Sequence, residues 1–217
     1  MGLGFLGDTI YKTPEPAPCY PAIAILCANP YFHALLSDFG RRQRYTYDPN
    51  KRTMRKLNMD FFVTAMQPEE LSQVDAGLMA AAREALENAY APYSQFNVGA
   101  AVLLADGTVV RGSNQENAAY PSGLCAERTA IFAAGSNYPN QRIVAVAVTA
   151  RPAHSPVCVA VSPCGACRQV MLEYEVKQNQ PIRFLMQGEN GETYLLDSVE
   201  CLLPLKFSAA SLGIGKT

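Results

Sequence analysis

Three observations predict an α/β fold, read as a three-layer α-β-α sandwich on a mixed five-stranded sheet whose last two strands run antiparallel. Helical periodicity sets in just after Gln67, an Asp106-Gly107 dipeptide joins two apolar runs, and strands then alternate with helices as far as a second tight turn, "GENGE". The ordinary Gly and Pro content and the 49% hydrophobic composition over 217 residues suit one such domain with a modest appendage.

The elements follow in order. In "PEELSQVDAGLMAAAREALENAYAPYS", Leu71, Val74, Leu78, Ala82, Ala85 and Ala89 recur at helical spacing and stop against Pro92, which predicts an amphipathic helix lying on the sheet. "NVGAAVLLADGTVVRGSN" reads as a hairpin, because Asp-Gly tolerates the positive φ angles of a tight turn. A helix after Cys125, the buried strand "IVAVAVTA", a helix after Cys164 and the strand "IRFLMQ" come next, and "TYLLDSV" closes the sheet. The "GENGE" joint is too short for the crossover that parallel strands require, so the last two strands are antiparallel neighbours.

The charge is uneven. Residues 1–56 hold eight basic against four acidic residues, +4, whereas residues 57–217 hold ten against fifteen, −5. "RRQRYTYDPNKRTMRK" (Arg41 to Lys56) interleaves basic residues with Tyr45 and Tyr47, a composition shared by nucleic-acid-binding arms and solvated tails. The segment before it has five prolines and no sustained period, which favours the tail. We therefore read residues 1–53 as a poorly patterned basic leader, disordered or foreign to the native protein, with Met54, Met59 and Met66 as alternative starts. Residues 67–217 form the domain. No apolar run approaches the roughly 18 residues of a membrane span, and no secretory signal opens the chain, so we expect a cytoplasmic protein without membrane contact. Seven unevenly spaced cysteines in a chain of this length argue against a disulfide framework and for reduced thiols.

The cysteines carry the chemistry. "SPCGAC" places Cys164 and Cys167 on one face of a first helical turn, and "CAE" places Cys125 at a second helix start. Helix N-termini favour thiolate over thiol. Cys158 and Cys201 sit in apolar surroundings and read as core residues; His33 and His154 read as non-ligands. Three sulfurs without a fourth ligand match a catalytic Zn²⁺ site, which keeps one position for water, rather than a closed structural one. Zinc lowers the pKa of its water to about 7, and a carboxylate two residues past Cys125, Glu127, is placed to shuttle the remaining proton. Arg128 and Arg168, each directly after a motif residue, are candidates for hydrogen bonding to the sulfurs and offsetting their charge.

"FNVGAAV", "NQENAAYPSGLCAERTAI", "SPCGACRQVM" and "LLPLKF" together resemble the small homotetrameric cytidine deaminases of pyrimidine salvage, from about residue 67 to the C-terminus. The resemblance implies the cytidine deaminase-like version of the fold and one zinc ion per subunit. The implied reaction is hydrolytic deamination of cytidine and deoxycytidine to uridine and deoxyuridine with release of ammonia. It also implies that Asn114 and Glu116 bind the ribose hydroxyls, Phe96 packs on the base, and Ala126 holds a base edge through its backbone. Ala118 and Tyr120 would reach a neighbouring subunit's site in a tetramer with shared active sites, and Phe207 would help cover it. A polynucleotide deaminase is disfavoured by the acidic domain and the "GENGE" hairpin, so a nucleic-acid partner is not expected. A deaminase of a cytosine nucleoside antibiotic remains an alternative. So does a non-catalytic zinc module, although it would leave Glu127 without a role.

Overall fold

The computed structural model describes residues 59–159, 161–187 and 191–213; the leader 1–53 lies outside the described residues. The sheet and its helices belong to the unit Arg52–Ser208, whereas Ala209–Leu212, a single 3-10 turn, falls outside it. In chain order the elements are β1 (Thr64–Met66), α1 (Gln73–Ala85), β2 (Phe96–Leu104), β3 (Val109–Ser113), α2 (Ala126–Asn137), β4 (Ile143–Pro152), α3 (Gly165–Gln178), β5 (Arg183–Gln187) and β6 (Thr193–Leu196). The sheet order is β1-β6-β5-β4-β2-β3. Only β4 and β5 pair in parallel, with α3 as their crossover.

The mixed α/β sandwich agrees with the sequence, and β5 and β6 are antiparallel. The strand count does not. Among the described residues the sheet has six strands instead of five, because Thr64–Met66 pairs with β6, Thr64 opposite Leu195 and Met66 opposite Thr193. Three residues are too few to show an alternating pattern, and they precede the point where periodicity begins.

Alternation along β2 and β4 separates two cores. Ala101, Ala145, Ala147 and Leu185 face α1, meeting Leu78, Met79 and Ala82. Ala100, Val102, Leu104, Val146, Val148 and Phe184 face α2 and α3, meeting Ala130, Ile131, Ala134 and Met171. Alanine on the strands lets α1 lie close, and two glycines let helices lie closer still. A Cβ at Gly99 would collide with the Ala82 carbonyl and the Leu86 amide of the α1 side, and one at Gly112 with the Ala126 carbonyl and the Ala130 amide of α2. The approach at Gly112 fixes how deeply the start of α2 sits.

The α1 stripe buries Leu78, Ala82 and Ala85 as predicted but differs in its first turn. Val74 is 56% exposed, and Asp75 turns inward at 7% exposure. The cause is electrostatic. Arg183 on β5 donates to both Asp75 oxygens at 3.0 and 2.8 Å, and the Ser72 hydroxyl adds a third bond while capping the helix through the Asp75 amide. The helix also ends sooner, at Ala85, where Leu86–Asn88 tightens into a 3-10 turn. On the other side, buried Glu175 of α3 accepts from the Ile182, Val199 and Glu200 amides and from the Ser198 hydroxyl, tying the entry to β5 to the turn after β6.

Burial raises the Asp75 carboxyl, but the Arg183 and Ser72 bonds outweigh it and hold the group below the ordinary aspartate value. A lowered folded value contributes stability that is complete above the unfolded value of about 3.9 and is lost as pH falls through the folded one. Asp75→Asn should cost about 2 kcal/mol at pH 7, because it leaves the Arg183 charge partly buried and unpaired. Urea titrations of parent and variant should show this gap closing below about pH 4; a gap unchanged down to pH 2 would refute the assignment.

Candidate active site

Two helix starts converge beside β2 and β4. Cys125 is the N-cap of α2 and Cys164 the N-cap of α3, both in extended backbone, and Cys167 lies one turn into α3. Neither N-cap side chain bonds its own helix amides, as a serine or aspartate there would, so both sulfurs stay available. Cys125 and Cys164 sulfurs are 3.8 Å apart, Cys164 and Cys167 3.4 Å, and all three lie within 4.8 Å of one another. A tetrahedral zinc with Zn–S bonds of about 2.3 Å requires sulfur separations near 3.8 Å, so the donor set and its spacing fit zinc. Among the described residues no fourth histidine, cysteine or carboxylate joins the group.

The charge within this cluster is unequal. The hydrogen bond with Cys167 lowers the Cys125 thiol to about 5 against the cost of burial, helped by Arg128, and the same bond together with burial pushes Cys167 up. Arg128 is placed for this because it follows Cys125 by one helical turn, and its guanidinium reaches the sulfur at 3.7 Å and the Gly123 carbonyl at 3.4 Å. Arg168 is placed differently. One residue past Cys167 it points about 100° away around the helix, donating to the carbonyls of Pro163 (2.7 Å) and Leu202 (3.3 Å) rather than to a sulfur.

Glu127, the second residue of α2, is 4% exposed. Burial raises its carboxyl above the ordinary range, and the neighbouring Cys125 charge adds to the rise. It borders, with Cys125 and Cys164, a cleft of about 730 Å³ whose apolar wall includes Phe96, Val98, Val148 and Val161 and whose polar rim includes Asn114, Glu116 and Ser162. That volume suits a small organic ligand.

Residues 72–180 match the family described as the cytidine and deoxycytidylate deaminase zinc-binding region. The chain belongs to this family. It is 44% identical over 138 residues to a cytidine deaminase of Halalkalibacterium halodurans, covering 62% of this chain and 95% of that protein. It is also similar to the crystal structure of a Burkholderia pseudomallei cytidine deaminase, with 40% identity, a TM-score of 0.51, and coverage of 60% of this chain and 97% of the other. A blasticidin-S deaminase of Bacillus cereus is 30% identical over 146 residues, 66% of this chain and 99% of that protein.

The deaminase cleft gathers Phe96, Asn114, Glu116 and Tyr120 around the thiols. Asn114 is less free than expected: its amide oxygen accepts from the Val98 amide and its nitrogen donates to the Phe96 carbonyl, extending the end of β2. Ala126 is buried as the first residue of α2. Tyr120 is 78% exposed at the rim, edge-on to Tyr93 at 6.2 Å. Ala118 and Phe207 are exposed and do not line the cleft. Sequence reading passed over Tyr93, Ser94 and Gln115, which do line it. Tyr93 and Ser94 lie in the polar "PYSQ" ahead of "FNVGAAV", which reads locally as a helix stop, whereas Gln115 lies inside the "NQEN" motif between two residues that the resemblance singles out.

Single Cys→Ala changes at 125, 164 or 167 should reduce zinc from about one to below about 0.1 per chain by elemental analysis, since the metal ties two helix starts together. Cys158→Ala and Cys201→Ala should retain it. Full zinc in all three cluster variants would disprove the ligand set.

Proposed function

We propose that this chain is a zinc-dependent cytidine deaminase that converts cytidine and deoxycytidine to uridine and deoxyuridine with release of ammonia, in pyrimidine salvage. The observation that carries the reading is a buried Glu127 beside three thiols that lie within 4.8 Å of one another, opening on a nucleoside-sized cleft. Cys125, Cys164 and Cys167 would hold the zinc, which when bound supplies a Lewis acid that makes water nucleophilic at neutral pH.

Glu127 moves the protons. Burial raises its carboxyl above the ordinary glutamate range, which eases proton uptake by a group that must both accept and donate. Of the water's two protons, one is carried by Glu127 to ring N3 as oxygen adds at C4, and the other to the amine as the C4–N bond breaks, leaving a carbonyl at C4 and free ammonia. The low-dielectric surroundings that raise the carboxyl also exclude water that would compete for these protons. The valine wall and Phe96 suit a flat base, Glu116 with Asn114 beside it would take the sugar, and the Ala126 backbone would hold a base edge. Arg128 offsets the charge on Cys125, and Arg168 braces the loop before Cys164.

Tyr120 lines the cleft yet is largely exposed, and Phe207 is 56% exposed. This supports a closed homo-oligomer, most simply a tetramer, in which Ala118, Tyr120 and Phe207 complete neighbouring sites. No helix among the described residues is long and apolar enough to cross a membrane, and the described cysteines are all free, which supports a cytoplasmic location.

The reading is tested by following ultraviolet absorbance of the zinc-loaded chain with cytidine, deoxycytidine, blasticidin S and a cytosine oligonucleotide. Turnover of both nucleosides is expected, with the oligonucleotide unchanged; turnover of the antibiotic alone would replace this assignment. Glu127→Gln should keep zinc and lose about 10²- to 10⁴-fold in kcat, and near-parental activity would remove the proton shuttle. Light scattering should give a mass above that of one chain; a fully active monomer would refute shared sites.

A further inference from the structure

Ser94 has no assigned role, yet it joins two residues placed at the substrate. Its hydroxyl donates to Glu116 Oε1 at 2.5 Å and accepts from the Phe96 amide at 3.1 Å. Its own amide and that of Tyr93 donate to the other Glu116 oxygen at 3.2 and 2.9 Å. The chain bends here through Gln95, a non-glycine residue at φ +51°. Two contacts from the loop after β4 hold that conformation: the Ala153 amide on the Gln95 carbonyl (2.7 Å) and His154 Nε2 on Gln95 Oε1 (2.6 Å). A loop kept in a disfavoured backbone state by these two contacts is an ordered support.

A carboxylate offers about four acceptor positions. Three on Glu116 are filled by this loop, two on Oε2 and one on Oε1, so the position left open lies on the oxygen that the Ser94 hydroxyl holds. One open acceptor takes one sugar hydroxyl, not two. The Ser94 bond is also the foremost cause of the lowered Glu116 pKa, which keeps this acceptor ionised.

We propose that Ser94 is a positioning residue for nucleoside binding, aiming the last open acceptor of Glu116 at a single ribose hydroxyl and holding the Phe96 backbone in step with it. The proposal rests on the reading of Glu116 as a sugar contact. It fits a site that takes ribose and deoxyribose alike, since only one hydroxyl is read.

The test uses the full zinc-loaded chain. Ser94→Ala should raise KM for cytidine and Kd for uridine by about tenfold, with kcat within about threefold and zinc content unchanged. Ser94→Thr, whose hydroxyl is kept and whose methyl has room at an exposed position, should restore both constants. In a Glu116→Gln background, Ser94→Ala should add less than about twofold, because the two act as one unit. An unchanged KM in Ser94→Ala, a threonine variant no better than alanine, or effects that multiply independently would each overturn the proposal. If Glu116→Gln alone leaves KM and Kd unaltered, the sugar-contact reading itself falls, and the aim assigned to Ser94 falls with it.

Discussion

Three sulfurs from two helices must come within bonding distance of one point, and the arrangement around the cleft follows from that requirement. α2 and α3 can meet at their N-termini only if both lie on the same face of the sheet. They do so because the strand alternation puts Val102, Val146, Val148 and Phe184 on that face. Gly112 then sets the depth of α2, since any side chain there would strike its backbone. Cys125 and Glu127 flank Ala126, whose carbonyl marks that contact, so sulfur and carboxyl inherit their height from a missing methyl group on β3.

Burial and charge work together on this frame. Glu127 is buried in the first turn of α2 at the border of the cleft, and that burial raises its carboxyl. A helix start would ordinarily favour the ionised form, so desolvation is the larger effect, reinforced by the Cys125 charge. Arg128 opposes this only in part, because its guanidinium is turned to sulfur and to the Gly123 carbonyl.

Much of this was legible in the sequence, for identifiable reasons. Local spacing exposed the Cys164–Cys167 pair and the Cys125–Glu127 pair, and tight-turn chemistry exposed the hairpin at Gly107, which indeed has φ +89°. What depended on distant partners was not legible. Val74 was assigned inward by period alone, and an ion pair spanning 108 residues turned Asp75 in instead. Asn114 is expected at the ribose by resemblance, and the structure adds that its amide also completes the ladder at the end of β2. Ser94 meets Glu116 across 22 residues, a contact no motif announces. The leader offers no described structure against which its reading can be set.

The three residues of β1 have a consequence beyond the strand count. β6 has only four residues and would be the sheet's border without them, presenting an unpaired row of amides and carbonyls to other chains. β1 covers that row and ends the sheet on a strand too short to template further pairing. Resistance to pairing at this edge therefore resides in Thr64–Met66, and a chain begun after Met66 that keeps β6 would leave a sticky border.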